Sequence, residues 1–96
     1  MEELENKFIM YISAYEGIEH LEEYSLNAYI KEELKEYILE YKTLNNIKLD
    51  FKKCYEKIEK KNDLLVMYQD ALYVINELNG PIELIHLLES KIKNFK

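Results

Sequence analysis

Residues 63–78, DLLVMYQDALYVINEL, decide the fold. Eleven of the fifteen positions from 64 to 78 are apolar or aromatic. Valine and isoleucine would suit a strand, but the run is too long for one. Leu65, Tyr68, Leu72 and Ile75 recur at three-four spacing, which is the period of a helix. Only a narrow strip of Gln69, Asp70, Tyr73, Asn76 and Glu77 is left to face water. A helix apolar around most of its circumference belongs inside a core. Asn79, Gly80 and Pro81 then stop it, with glycine just past the end and proline opening the next helix.

Working backwards, Ile47, Phe51, Cys54 and Ile58 make an inward stripe over residues 47–61. Extended by four-three steps, that stripe runs through Lys61, Leu65, Tyr68, Leu72 and Ile75 without a change of register. Residues 47–79 therefore read as one long helix of about 50 Å, or as two helices broken near Asn62 and Asp63, where Asp63 could cap. The unbroken register favours the first. A helix of that length would overhang its neighbours, and its exposed apolar end would favour a homodimer. Residues 3–23 form the first helix, with Leu4, Phe8, Tyr11, Tyr15 and Ile18 inward and Met10, Ile12 and Leu21 widening the stripe. Ile9, Ser13, Glu16 and His20 fall on its other face, and Gly17 costs it about 1 kcal/mol relative to alanine. Ser25 caps a second helix over 26–44, with Leu26, Ile30, Leu34, Tyr37, Ile38, Tyr41 and Leu44 inward and a turn at Asn45 and Asn46. The last helix, 81–95, turns Ile82, Ile85, Leu88, Ile92 and Phe95 inward. The expected architecture is all-α: an antiparallel four-helix bundle formed by residues 1–96 as a single domain.

Composition narrows the function. The chain has 96 residues, only two glycines and one proline, and a net charge of −6. All thirteen basic residues are lysine. Arginine supplies the planar, bidentate recognition of phosphate and carboxylate that lysine does not, so nucleotide chemistry and sequence-specific nucleic-acid reading are disfavoured. Cys54 is alone and forms no internal disulfide. No apolar run is long enough to span a membrane, the acidic N-terminus is not that of a signal peptide, and the expected compartment is the cytoplasm. Charge is segregated: residues 1–41 carry a balance of −8, residues 42–61 one of +4, and residues 62–96 one of −2.

Four constellations could carry chemistry. Glu83 and His86 have the Glu-x-x-His spacing of di-iron bundles, and Glu16 and His20 form a second carboxylate–imidazole pair. A metal site would need all four in one coordination sphere; surface histidines beside glutamates explain the pattern more simply. Neither histidine has the Lys-Gly sequence that usually follows a phosphotransfer histidine. Cys54 sits on a buried stripe with no histidine to activate it, as a core residue would. Lys53, Lys57, Lys60 and Lys61 line one side of their helix and could touch phosphates, but without arginine or interleaved aromatics a solvated face fits better. The remaining feature is an outward patch on the second helix, where Tyr29 stands among Glu33, Glu36 and Glu40 with Leu39 alongside. Tyrosine is enriched at binding hot spots.

The expectation is thus a small non-enzymatic interaction protein without a cofactor, of the inhibitor, adaptor, antitoxin or immunity-factor type. It would present Tyr29, Glu33, Glu36, Leu39 and Glu40 to a basic protein partner. In size and expected architecture the chain resembles small bacteriocin immunity proteins, which are also four-helix bundles; the likeness is one of class and transfers no site residue. A metal-binding bundle using Glu16, His20, Glu83 and His86 is the alternative, and a nucleic-acid binder acting through the lysine stripe is a second.

Overall fold

A computed structural model of the chain describes residues 2–21, 24–61 and 63–95, with the side chains of 24–29 and 61 outside the description. Five helices follow in order: α1 (Glu2–Glu19), α2 (Tyr24–Leu44), α3 (Phe51–Lys61), α4 (Leu64–Glu77) and α5 (Ile82–Lys93). The fold is all-helical, with no strand among the described residues. Its Cα radius of gyration is 12.8 Å.

The long helix expected over 47–79 does not form; the chain takes the broken alternative. Residues 47–50 are not helical, and α3 begins only at Phe51. Asp50 caps it, accepting the Lys52 N–H at 2.9 Å. Asp63 caps α4 in the same way: its backbone is extended (φ −80°, ψ 166°) and its carboxylate accepts the Val66 N–H at 2.9 Å. Both α3 and α4 pack against α1. An 18-residue α1 is about 27 Å long, too short to be followed by a straight helix of twice that length. Breaking the chain lets both apolar stripes meet the same neighbour. The overhanging end on which a homodimer was expected goes with the long helix.

The organising element is α1, which packs against α2, α3 and α4; α5 packs against α4. Two residues expected on the outer side of α1, Ser13 and Glu16, are buried, with Glu16 only 2% exposed. Ser13 faces α4, where its hydroxyl donates to the half-buried Asp70. Burial pushes the Asp70 carboxyl up, and the Ser13 bond opposes that shift. Asp70 therefore belongs to the α1–α4 seam and not to a water-facing strip. Gly17 has a packing role as well. A Cβ there would lie 2.4 Å from the Met67 carbonyl oxygen, so only glycine lets the two backbones come this close.

The core otherwise follows the stripes. Phe8, Tyr11, Ile12 and Ile18 of α1, Ile30, Leu34 and Ile38 of α2, Cys54 and Ile58 of α3, and Met67, Tyr68, Val74 and Ile75 of α4 are buried. Two helix ends depart from expectation. Ser25 lies inside α2, which starts at Tyr24, and Leu44 at its other end is 76% exposed. In α5 the buried positions are Leu84 and Leu88, while Ile82 is 66% exposed. Pro81 sits at the N-cap instead of inside the helix, which turns the inward face away from Ile82.

Two helices end in the same left-handed turn. After α2, Asn46 has φ 56°, and Ile47 N–H reaches back to the Lys42 carbonyl at 3.0 Å. After α4, Asn79 has φ 54°, and Gly80 N–H reaches the Ile75 carbonyl at 2.8 Å. Both are Schellman closures with asparagine in the left-handed position. Gly80 is required next to that turn for space: a Cβ on it would lie 2.6 Å from Ile75 Cγ2.

Candidate functional site

The outward patch is built on α2. Ile30, Leu34 and Ile38 hold this helix to the core, so residues on the other side of the same turns must point outward. Glu33, Glu36, Leu39 and Glu40 are exposed, with Leu39 at 41%. The side chain of Tyr29 lies outside the described residues. Four of the five patch residues therefore stand on an open helix face.

Two of the three lysines of α2 turn toward the other helices. Lys31 Nζ pairs with Glu19 Oε1 of α1 at 3.0 Å. Lys35 Nζ lies 6.0 Å from the centre of the Phe51 ring of α3. Both cations thus turn toward α1 and α3. The acids Glu32, Glu33, Glu36 and Glu40 join no ion pair among the described residues. The third lysine of α2, Lys42, lies near Leu39 at the C-terminal end of the helix, so the acidic field is least offset around Glu33 and Glu36.

A tyrosine cluster fixes α2 on α1. The Tyr11 ring meets Tyr37 and Tyr41 edge-on at 5.4 and 5.1 Å. Tyr11 donates its hydroxyl to Glu77 Oε1 of α4 at 2.8 Å, and the Tyr37 hydroxyl lies 3.5 Å away. Lys7 Nζ is 3.7 Å from the other oxygen of Glu77. Burial, with Tyr37 and Glu77 adding to it, holds the Tyr11 phenol well above its ordinary value. The hydroxyl thus remains a donor and locks three helices together.

Beside this cluster lies a groove between α2 and the turn from α4 to α5. Ile30, Leu34 and Ile75 form its floor, and Glu33, Tyr37, Leu78, Asn79, Gly80 and Pro81 form its walls. Its volume is about 450 Å³, within the range of ordinary ligand clefts. Spacing along the chain does not reveal it, because its two walls come from segments over forty residues apart.

The four metal candidates are not brought together. Among the described residues no group of three or more His, Cys, Asp and Glu side chains could hold a metal ion. Glu83 and His86 are exposed on α5. Glu16 is buried on α1, where Oε1 pairs with His20 Nε2 at 3.1 Å and Oε2 has no hydrogen-bond partner. Burial, with Glu16 beside it, pushes the Tyr55 phenol of α3 up. The pair thus acts as a polar joint between α1 and α3. Spacing places Glu16 on the outer side of α1, but α1 has neighbours on three sides, so that position is buried.

Cys54 is buried, and burial pushes its thiol up, as suits a core residue. Lys53, Lys57 and Lys60 are exposed on α3; the Lys61 side chain lies outside the described residues. No described helix is long and apolar enough to cross a membrane. No protein family matches the chain, and neither the curated proteins nor the solved structures contain a significant match.

Proposed function

We propose that this protein is a non-enzymatic interaction protein, of the inhibitor, adaptor, antitoxin or immunity-factor type, which presents the acidic side of α2 to a basic protein partner. The observation that carries the reading is the exposure of three acids on α2 while two of its three lysines are engaged elsewhere. Lys31 and Lys35 are engaged toward α1 and α3, while Glu33, Glu36 and Glu40 stand exposed beside Leu39. Unneutralised acids on a rigid helix steer a basic partner to this face and fix its register. Leu39 supplies apolar contact that charge alone does not, with Tyr29 roughly three turns before it on α2.

The test is affinity capture from the native host with the tagged protein, wild-type against Glu36→Lys with Glu40→Lys, and against Tyr29→Ala. The expected result is a stoichiometric, basic partner captured by wild-type and lost from the charge-reversed variant. Circular dichroism should show the charge-reversed variant folded, since exposed substitutions away from special features change stability by about 0.5 kcal/mol or less. Equal capture by the charge-reversed variant would remove the acidic face from the interaction.

A further inference from the structure

We propose that the groove between α2 and the α4–α5 turn receives the apolar side chains of a basic amphipathic helix, which is the part of the partner that this protein recognises. The proposal rests on the acidic-face reading and adds to it the mode of binding. The groove lies between elements that pack on different neighbours: α2 packs on α1, and the turn after α4 leads into α5, which packs on α4. Ile30, Leu34 and Ile75 close its floor, and Tyr37, Leu78 and Pro81 offer apolar wall. Ile82, 66% exposed, follows directly on Pro81 and extends the apolar surface past the rim.

Charge selects the occupant. Glu33 is the charged residue in the groove wall, and no lysine lines it. Other surface depressions differ: one at the end of α2 holds Lys42 and Lys48, one beside α5 holds Lys91, and one between α1 and α3 holds Lys35 and Lys52. Glu40, seven residues after Glu33, shares its side of the helix. Glu83 stands exposed two residues beyond Pro81. An apolar trough with Glu33 in its wall and no lysine matches a helix with one apolar face and lysine or arginine flanks.

A second copy of this chain does not meet that description. Its most basic helix is α3, whose apolar residues Cys54 and Ile58 are already buried in its own fold. The chain also carries a net charge of −6, so two copies would bring acid against acid.

The probe is a fluorescein-labelled peptide of about 18 residues containing only leucine and lysine, arranged as an amphipathic helix. Its scrambled isomer has the same charge without an apolar face. Binding is followed by anisotropy, and the site is mapped by amide shifts in a ¹⁵N spectrum, which does not depend on any variant folding. The amphipathic peptide should bind at least about tenfold more tightly than the isomer. Its shifts should centre on Glu33, Ile75, Leu78 and Gly80, and Glu33→Lys should lower its affinity about tenfold. Equal binding of both peptides, with shifts confined to Glu36, Leu39 and Glu40, overturns the groove and leaves the acidic face standing. No binding by either peptide overturns the groove; if the captured host partner also ignores Glu36→Lys with Glu40→Lys, the broader reading falls with it. Groove shifts that appear on raising protein concentration without peptide would assign the groove to a second copy and overturn the proposal.

Discussion

Replacing Gly17 with alanine sets two effects of opposite sign against each other. Alanine is the better helix former by about 1 kcal/mol, so in an isolated α1 the change would stabilise. In the folded protein the new Cβ would sit 2.4 Å from the Met67 carbonyl oxygen and 2.7 Å from its carbonyl carbon. Ordinary contact begins at about 3.4 Å, so α1 and α4 must part locally by about 1 Å. A gap of that size forfeits roughly a quarter to a half of each van der Waals contact along the seam. Overpacking costs about 1–3 kcal/mol, and the upper end applies because the obstructing atoms are backbone and cannot rotate away. Less the helix gain, the net loss is about 2 kcal/mol, a drop of roughly 8–16 °C in Tm for a domain of this size. Urea and thermal unfolding followed at 222 nm would measure it. Met67→Ala should give no rescue, because the side chain is not the principal obstacle. A Gly17→Ala protein as stable as wild-type, or more so, would refute the close approach of α1 and α4.

Asp63→Ala removes the cap that separates α3 from α4 and should cost about 1 kcal/mol in urea unfolding, with Asp63→Ser retaining most of it. Asn79→Ala places a Cβ-bearing residue without a local hydrogen-bonding side chain at φ 54° and should cost about 1 kcal/mol, whereas Asn79→Gly should be neutral or slightly stabilising. Alkali should weaken the fold early. Burial, with the Glu19 carboxylate beside it, pushes the Tyr15 phenol up to about 12, and the Tyr11 and Tyr55 phenols are also raised. A raised phenol keeps its proton longer in the folded protein than in the unfolded chain. Its contribution is therefore complete below about pH 10 and is lost as the pH climbs toward 12. The urea midpoint should fall across that window, by less in Tyr15→Phe; a flat profile would contradict the burial of these rings.

Much of the fold was legible because its helices are amphipathic and well punctuated. Most inward residues of α2 and α3, and the places where α2 and α4 end, follow from three-four spacing and the turn residues there; the left-handed position after α4 falls on Asn79 and not on the Gly80 expected just past the end. The break at Asp63 was not legible from register: two separate helices whose stripes happen to align read as one. What ends α3 is competition for N–H groups by the Asp63 carboxylate, together with the shortness of α1. The central place of α1 was hidden for a related reason. Ser13, Glu16 and Gly17 look like surface residues, yet small size and available partners are what admit a second and third neighbour. On the site, the exposed acids of α2 were readable from spacing. The groove beside them was not, because it depends on where the turn after α4 comes to rest.

The pairing of α1 with α4 has a kinetic consequence. Gly17 and Met67 are fifty residues apart, and the most extensive contact in the protein joins these two helices. A bundle assembled from neighbouring hairpins can settle each helix against the one before it. Here the principal interface cannot close until a long loop has been drawn in, an entropic cost that local contacts do not recover. As the chain leaves the ribosome, α1 emerges before α4, and the apolar surface it buries against α4 waits uncovered until then. A fold so rich in helix should therefore condense late and nearly all at once, with α5 joining after the α1–α4 pair has formed.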